Sequence, residues 1–217
     1  MADGALTGAQ RRPAAAGDRD ALALARPALL RALRQVWSPE ATAPAGPVPL
    51  EDADAFLRAV RRHRLAIALA PHALALGWPA ETAAALHQEA RRQQLAALRL
   101  IALAVEVVPA LEEAGLRVLV LKGPALALQT TGQPWSRGGG DIDVLVAPGD
   151  LPQAVAVLER LGFARPPGQF PRDLDSFWGR YSRWVSHELP LWRQGRWLDL
   201  HWALNTVRAP LPPFETL

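Results

Sequence analysis

The sequence contains no cysteine, which excludes disulfide bonds, thiolate metal ligands and cysteine nucleophiles. It contains a single lysine, Lys122, although lysine and arginine together number 24, so almost every cation is a guanidinium. No apolar run approaches the roughly 20 residues that a membrane-spanning helix needs, and the N-terminus lacks the apolar core of a signal peptide. These absences predict a soluble, cytoplasmic protein that does not associate with a membrane.

Clustered charge of one sign is also missing. The formal net charge is only +3 over 217 residues, and arginine pairs such as Arg61-Arg62 and Arg91-Arg92 are scattered along predicted helices. A nucleic-acid interface would need clustered basic residues with aromatic residues between them. We therefore interpret the arginines as solvated helix faces and expect that long nucleic acid is not a partner.

The first half of the chain has helical periodicity. After a predicted disordered leader at 1–20, helices are predicted at 21–36, at 51–76 with a break near Pro71, and at 80–108, where Pro109 follows. A proline-rich linker is predicted at 39–49. The apolar residues that these periodicities place together are Phe56, Val60, Ile67 and Leu74, and, on the third helix, Leu98, Ile101, Val105 and Val108. The pattern predicts a helical region over 21–114.

The character of the sequence changes at Arg117. The apolar run 118–121 is typical of a buried strand, and Gly123-Pro124 suits the start of a helix. A strand with strict alternation follows at 141–146, then a helix from Asp150, and two further strands are predicted at 181–191 and 196–202 around Gln194-Gly195. The order β-α-β-α-β-β predicts an α/β (α+β) protein in which a small mixed sheet, within 115–207, follows the helical region.

Two aspartates begin the alternating strand. Because strand side chains alternate between faces, Asp141 and Asp143 share one face and lie a few ångströms apart. Two like charges are unfavourable there unless a cation lies between them, and Mg²⁺ or Mn²⁺ bridging to a triphosphate suits such a pair. The alternative is a strand end with two solvated acids.

A third carboxylate lies on the last predicted strand. Asp199 and His201 face away from Leu198 and Leu200, and an acid between two leucines is poorly explained by solubility. Asp199 could complete a two-metal site and accept a proton from an attacking hydroxyl. An edge strand with a polar outer face is the alternative.

Phosphate-binding candidates surround the predicted helix start. Lys122 and Gly123 end the first strand, where a helix N-terminus supplies free N–H groups and glycine permits close backbone approach. Arg137 could reach phosphate oxygens as a forked donor, and the glycine run that it begins ends at Gly140, directly before the acidic pair. The alternative for Lys122 is the cap of an exposed strand end.

Two further groups of residues complete the candidate site. His187 and Glu188, with His201, either line an acceptor pocket or belong to an ordinary loop end. Five tryptophans fall in the last 40 residues, and packing in the core and pocket wall is the expected role. They are Trp178, Trp184, Trp192, Trp197 and Trp202.

These motifs together resemble a known family. The segments LKGPALAL, RGGGDIDVLV, LERLGF, HELPLW and LDLHWAL, within about residues 95–205, are similar to the uncharacterised nucleotidyltransferases of the DNA polymerase β-like superfamily. The resemblance implies a polymerase β-like core with Asp141 and Asp143 as metal ligands and Asp199 as the third acid. Lys122-Gly123 stands where the superfamily usually has Gly-Ser or Gly-Gly. Such relatives usually continue into a C-terminal helical lobe, so a tail at 208–217 fits a short form of the family, a truncation of that lobe, or half of a split system.

The resulting hypothesis is a metal-dependent nucleotidyltransferase. It would transfer a nucleoside monophosphate from a nucleoside triphosphate, with ATP the expected donor, to a hydroxyl or phosphate and release pyrophosphate. The acceptor is a protein, a peptide natural product or a small molecule. Two alternatives stay open: a catalytically inactive or accessory nucleotide-binding protein of the same fold, and a transferase with another diphosphate-activated donor such as an NDP-sugar.

Overall fold

The structure, a computed structural model, describes residues 16–37, 47–168 and 171–204. The chain divides into two compact units, with the boundary between Leu95 and Ala96. The predicted tail, residues 1–15 of the leader and most of the predicted linker lie outside the described residues. Helix α1 begins at Ala16, within the predicted leader.

The first unit is helical. Helix α1 (Ala16–Trp37) is followed by α2 (Ala53–His63), α3 (Ala66–Leu69) and a 3₁₀ turn at Ala70–His72. The segment 51–76 therefore breaks at Arg64, whose φ of 56° ends α2, before it reaches Pro71. Of the predicted core residues, Phe56 and Val60 are buried, whereas the prediction for Leu74 is wrong because its side chain is 68% exposed.

Helix α4 (Ala80–Glu113) is longer than predicted, because Pro109 lies inside it. The apolar stripe that indicates this helix does not mark its buried face: Leu98 and Val105 are exposed, while Leu103 and Val107 are fully buried. Both stripes follow three- and four-residue steps, and this part of the helix is apolar nearly all around. Periodicity alone therefore does not determine which face packs against the sheet.

By length and composition alone, α4 is the one helix among the described residues that could cross a membrane. The sequence pattern predicts no segment of this kind. About 28% of its most apolar window is buried within the structure. Core helices of soluble proteins pass the same test, so the observation is weak evidence for a membrane.

The second unit contains a four-stranded mixed sheet, which confirms the predicted fold class. Its strands are β1 (Leu119–Leu121), β2 (Asp141–Leu145), β3 (Glu188–Arg193) and β4 (Arg196–His201), in the order β1-β2-β4-β3. The β2–β4 pair is parallel, and β1–β2 and β3–β4 are antiparallel. Strand β3 is at one edge, where Trp192 exchanges two backbone hydrogen bonds with Ala164.

One face of this sheet is apolar. Ile142, Leu198 and Leu200 are buried in one cluster with side chains from the second half of α4 and from helix α6 (Leu151–Arg160). Full burial of such a side chain contributes about 1.5–3 kcal/mol. The register of β2 and β4 is thereby fixed, because a shift by one residue would turn the leucines out and the intervening acids into the core.

The segment before β3 departs from the sequence prediction. Residues Phe177–Val185 form helix α7, so the predicted strand at 181–191 is wrong for its first half. Ser176 caps this helix by accepting a hydrogen bond from the Gly179 N–H at 3.0 Å. Trp178 and Trp184 on α7 are 65% exposed, which contradicts a packing role for them, whereas Trp202 is buried as predicted.

Candidate active site

The sheet register brings three carboxylates to one face. In the parallel β2–β4 pair, Asp143 lies directly opposite Asp199. Paired residues project to the same side of a sheet, and Asp141 shares that side because it is two residues from Asp143. On the other side of β4, His201 is paired with Glu188 on β3, so Glu188 joins the same face. This acidic face is the side of the sheet opposite the leucine-rich core.

Asp143 is the centre of the hydrogen bonding on the acidic face. Its side chain is 10% exposed, and its Oδ1 accepts hydrogen bonds from Lys122 Nζ at 2.9 Å and from His201 Nε2 at 3.0 Å. Both contacts fall on the same oxygen. Within the described residues, Oδ2 has no hydrogen-bond partner, so it can accept a further donor or act as a ligand.

These contacts determine the ionisation of Asp143. Burial acts to raise the pKa of its carboxyl group, but the hydrogen bonds from His201 and Lys122 outweigh it, so the pKa is lowered overall. In return, the hydrogen bond to Asp143 raises the pKa of Lys122, with smaller contributions from the charges of Glu188 and Asp141. The pair is therefore a carboxylate and an ammonium at neutral pH.

Asp199 behaves in the opposite way. Burial, followed by the charges of Glu188, Asp141 and Asp143, raises its pKa from 3.8 to about 6. The nearby acids make ionisation of Asp199 unfavourable, and His201 compensates only in part. Excess negative charge on one face of a sheet is the condition under which a bound cation is stabilising.

The backbone at Lys122 is strained. Lys122 directly precedes helix α5 (Gly123–Thr131), and its φ of 49° and ψ of −158° lie in a region that residues with a Cβ rarely adopt. Strain of this kind costs on the order of 1–3 kcal/mol. Glycine would adopt the same backbone with less strain, so this conformation favours a role for the lysine side chain itself.

The other predicted phosphate-binding residues lie around this turn and in the loop before β2. Gly123 has φ of 45°, and no heavy atom lies within 4 Å of where a Cβ would be, so the backbone there is open to a ligand. Arg137 and Gly140 are exposed in the loop, and the structure gives neither of them a contact with the carboxylates. The loop does pack at Gly139, where a Cβ would come within 2.7 Å of Leu100.

His187, Glu188 and His201 converge at the end of the same face. Glu188 Oε2 lies 3.3 Å from His187 Nε2 and 3.6 Å from His201 Nε2. The sequence predicts these three residues as one group, but it gives no sign that His201 also contacts Asp143, 58 residues away. Only the two-residue step from Asp199 to His201 signalled that His201 faces the carboxylates.

The comparison with known families agrees with this geometry. A family model described as "Uncharacterised nucleotidyltransferase" matches residues 49–216. The chain belongs to the uncharacterised nucleotidyltransferase family. No curated protein and no solved structure matches it. The match to this nucleotidyltransferase family includes all four strands and every candidate site residue, and it extends into the helical first unit, beyond the segments that carried the sequence resemblance.

Proposed function

We propose that this protein transfers a nucleoside monophosphate from a nucleoside triphosphate to an acceptor hydroxyl or phosphate, with release of pyrophosphate and dependence on a divalent metal ion. The observation that carries the proposal is the register of β2 and β4, which sets Asp143 opposite Asp199 with Asp141 on the same face. Membership of a nucleotidyltransferase family supports the reaction class.

The residues present fit Mg²⁺ or Mn²⁺. Both ions prefer carboxylate and phosphate oxygens, and Asp141, Asp143 and Asp199 supply three carboxylates on one face. The raised pKa of Asp199, to about 6, reflects both its burial and negative charge that a cation would offset. When bound, such an ion neutralises charge on the triphosphate and favours the ionised form of the attacking hydroxyl.

The chain's own groups then have separate tasks. Asp199 accepts the proton of the acceptor hydroxyl as a general base. The free N–H groups at the start of α5 bind phosphate oxygens beside Gly123. Lys122 is within reach of the same phosphates once it leaves Asp143, and Arg137 is an exposed guanidinium in the loop before β2.

The acceptor enters beside His187, Glu188 and His201 in this proposal. These residues lie at the end of the acidic face, so an acceptor hydroxyl bound there would be near Asp199. A protein side chain, a peptide natural product and a small molecule are the acceptor classes that we propose. ATP as donor and a cytoplasmic location stay predictions.

Incubation with each nucleoside triphosphate and Mg²⁺ tests the proposal. We expect pyrophosphate release that depends on the metal ion, and a mass increase of one nucleoside monophosphate on an acceptor from a matched cell extract. Metal-dependent binding of MgATP without turnover would instead favour the accessory nucleotide-binding protein. Turnover of an NDP-sugar but of no triphosphate would favour the other donor class. If the protein neither binds nor turns over any of these donors, all three functions are contradicted.

Removal of the Lys122 charge is expected to strengthen metal binding in the absence of nucleotide. The ammonium occupies Asp143 Oδ1 at 2.9 Å and therefore competes with a metal ion for that oxygen. In Lys122→Met, we expect the Mn²⁺ dissociation constant to fall several-fold while that for MgATP rises. Isothermal titration measures both. Lys122→Arg keeps the charge and serves as the control, and weaker Mn²⁺ binding by Lys122→Met would contradict the competition.

A further inference from the structure

A second cation site lies beside the acidic face, in the His187, Glu188 and His201 cluster. One ligand atom from each of these residues lies within 4.8 Å of the other two. We propose that this cluster binds one Zn²⁺ ion, separately from any ion held by Asp141, Asp143 and Asp199. The proposal goes beyond nucleotidyl transfer, and its test does not require turnover.

Both distances from the Glu188 carboxylate suit a small tetrahedral ion, and the histidine ligand nitrogens lie within 4.8 Å of each other. With metal–ligand distances of about 2.0–2.1 Å, two ligands of a tetrahedral Zn²⁺ lie about 3.4 Å apart. Glu188 Oε2 is 3.3 Å from His187 Nε2 and 3.6 Å from His201 Nε2, which are long for hydrogen bonds and close to that spacing.

The backbone holds the three residues together. Glu188 and His201 are directly opposite partners in the β3–β4 ladder, and the His187 carbonyl accepts a hydrogen bond from the Trp202 N–H at 3.1 Å. Just before the strand, the Ser186 hydroxyl donates a hydrogen bond to the Glu188 carbonyl at 3.0 Å, which closes a local turn. This turn explains how neighbouring residues, His187 and Glu188, direct their side chains to the same place rather than to opposite faces.

Two buried nitrogen atoms of the cluster have no hydrogen-bond partner among the described residues. They are the Nδ1 atoms of His187 and His201. Burial of an unpaired imidazole nitrogen is costly, and His201 is only 2% exposed. Neither ring is fixed by a hydrogen bond at Nδ1, so each can carry its proton on Nδ1 and present the lone pair of Nε2, the atom nearest Glu188, to a cation.

The ligand types select the ion. Two imidazoles and one carboxylate are a ligand set for Zn²⁺ and its first-row neighbours, whereas Mg²⁺ demands an octahedral shell of oxygens. The cluster and the carboxylates of the acidic face would thus prefer different metals. Three protein ligands also leave a fourth coordination position, which water or an acceptor group can occupy. His201 would exchange its contact with Asp143 for the ion, while Lys122 continues to donate to Asp143.

Isothermal titration of the chelator-treated full chain with ZnCl₂ tests this site. We expect the wild-type chain to bind one Zn²⁺ at this site, and His187→Ala and Glu188→Gln each to lower the affinity at least tenfold, with circular dichroism checking the fold. His72→Ala is the matched control, because His72 is exposed in the first unit and should leave the affinity unchanged. Asp141→Asn should also leave it unchanged.

A spectroscopic measurement confirms the ligands. Co²⁺ in place of Zn²⁺ should give visible absorption typical of a tetrahedral site with nitrogen ligands, and His187→Ala should remove it. Equal Zn²⁺ affinity in the wild type and in both cluster variants would overturn the proposal. So would a loss of affinity in Asp141→Asn alone, because the ion would then be bound by the acidic face.

Discussion

Asp143→Asn is expected to lower the rate of nucleotidyl transfer by about a thousandfold, which corresponds to about 4 kcal/mol of activation free energy. The change replaces a carboxylate oxygen of the acidic face with a neutral amide of the same shape, so it weakens the hold on a divalent ion. Asp141→Asn should have a similar effect, because Asp141 supplies the second carboxylate on the same strand face.

The fold should survive this substitution. The asparagine oxygen can still accept hydrogen bonds from Lys122 and His201, and the leucines on the other face of the sheet are unchanged. Asp54→Asn makes the same chemical change at an exposed position on α2 and is the matched control. Pyrophosphate release over a range of Mg²⁺ concentrations measures the effect. Activity of Asp143→Asn equal to that of Asp54→Asn would exclude the proposed metal site.

Asp199→Asn is expected to stabilise the metal-free protein at neutral pH while it abolishes transfer. The pKa of Asp199 is raised from 3.8 to about 6 in the folded chain, chiefly by burial and then by three nearby acids. Its charge therefore destabilises the fold above the folded pKa, by on the order of 1–2 kcal/mol once water screens part of the charge. The neutral amide removes this cost and should raise the midpoint of thermal unfolding by several degrees.

The pH dependence of the stability difference between Asp199→Asn and the wild type is a second test of this effect. A carboxyl group whose pKa is raised on folding binds more protons in the folded state, so its contribution to stability falls as pH rises from about 4 to about 6. The difference in unfolding temperature between Asp199→Asn and the wild type should therefore be small at pH 4 and reach its full size above pH 6. Scanning calorimetry in EDTA measures it. An equal difference at both pH values would show that the charge of Asp199 is not the cause.

The acidic face could be predicted from the sequence because it depends on strand periodicity. Asp141 and Asp143 are two residues apart, and Asp199 lies between two leucines, so one simple rule places each of them on a polar face. In the structure, β2 and β4 are parallel neighbours and Asp143 lies opposite Asp199. This pairing depends on the whole sheet, so it cannot be predicted from the periodicity of either strand.

The errors have definite physical causes. The β-branched or aromatic residues Tyr181, Trp184 and Val185 favour a strand over the second half of α7. The structure has a helix there, which begins at the Ser176 cap. The apolar stripe of α4 does not identify its buried face, because the helix is apolar on several sides. The contacts of Lys122 and His201 with Asp143 join residues far apart in sequence, and periodicity carries no information about them.

The exposed edge of the sheet has a consequence for association between molecules. An edge strand with free N–H and C=O groups can pair with a strand of another chain and begin aggregation. In β3, Pro190 has no N–H to offer at the middle of the strand, and Ala164 already occupies the backbone of Trp192 near its end. The strand that carries Glu188 is therefore poorly suited to pair with a strand of another chain. A polar candidate site can thus lie beside this sheet edge without promoting association through it.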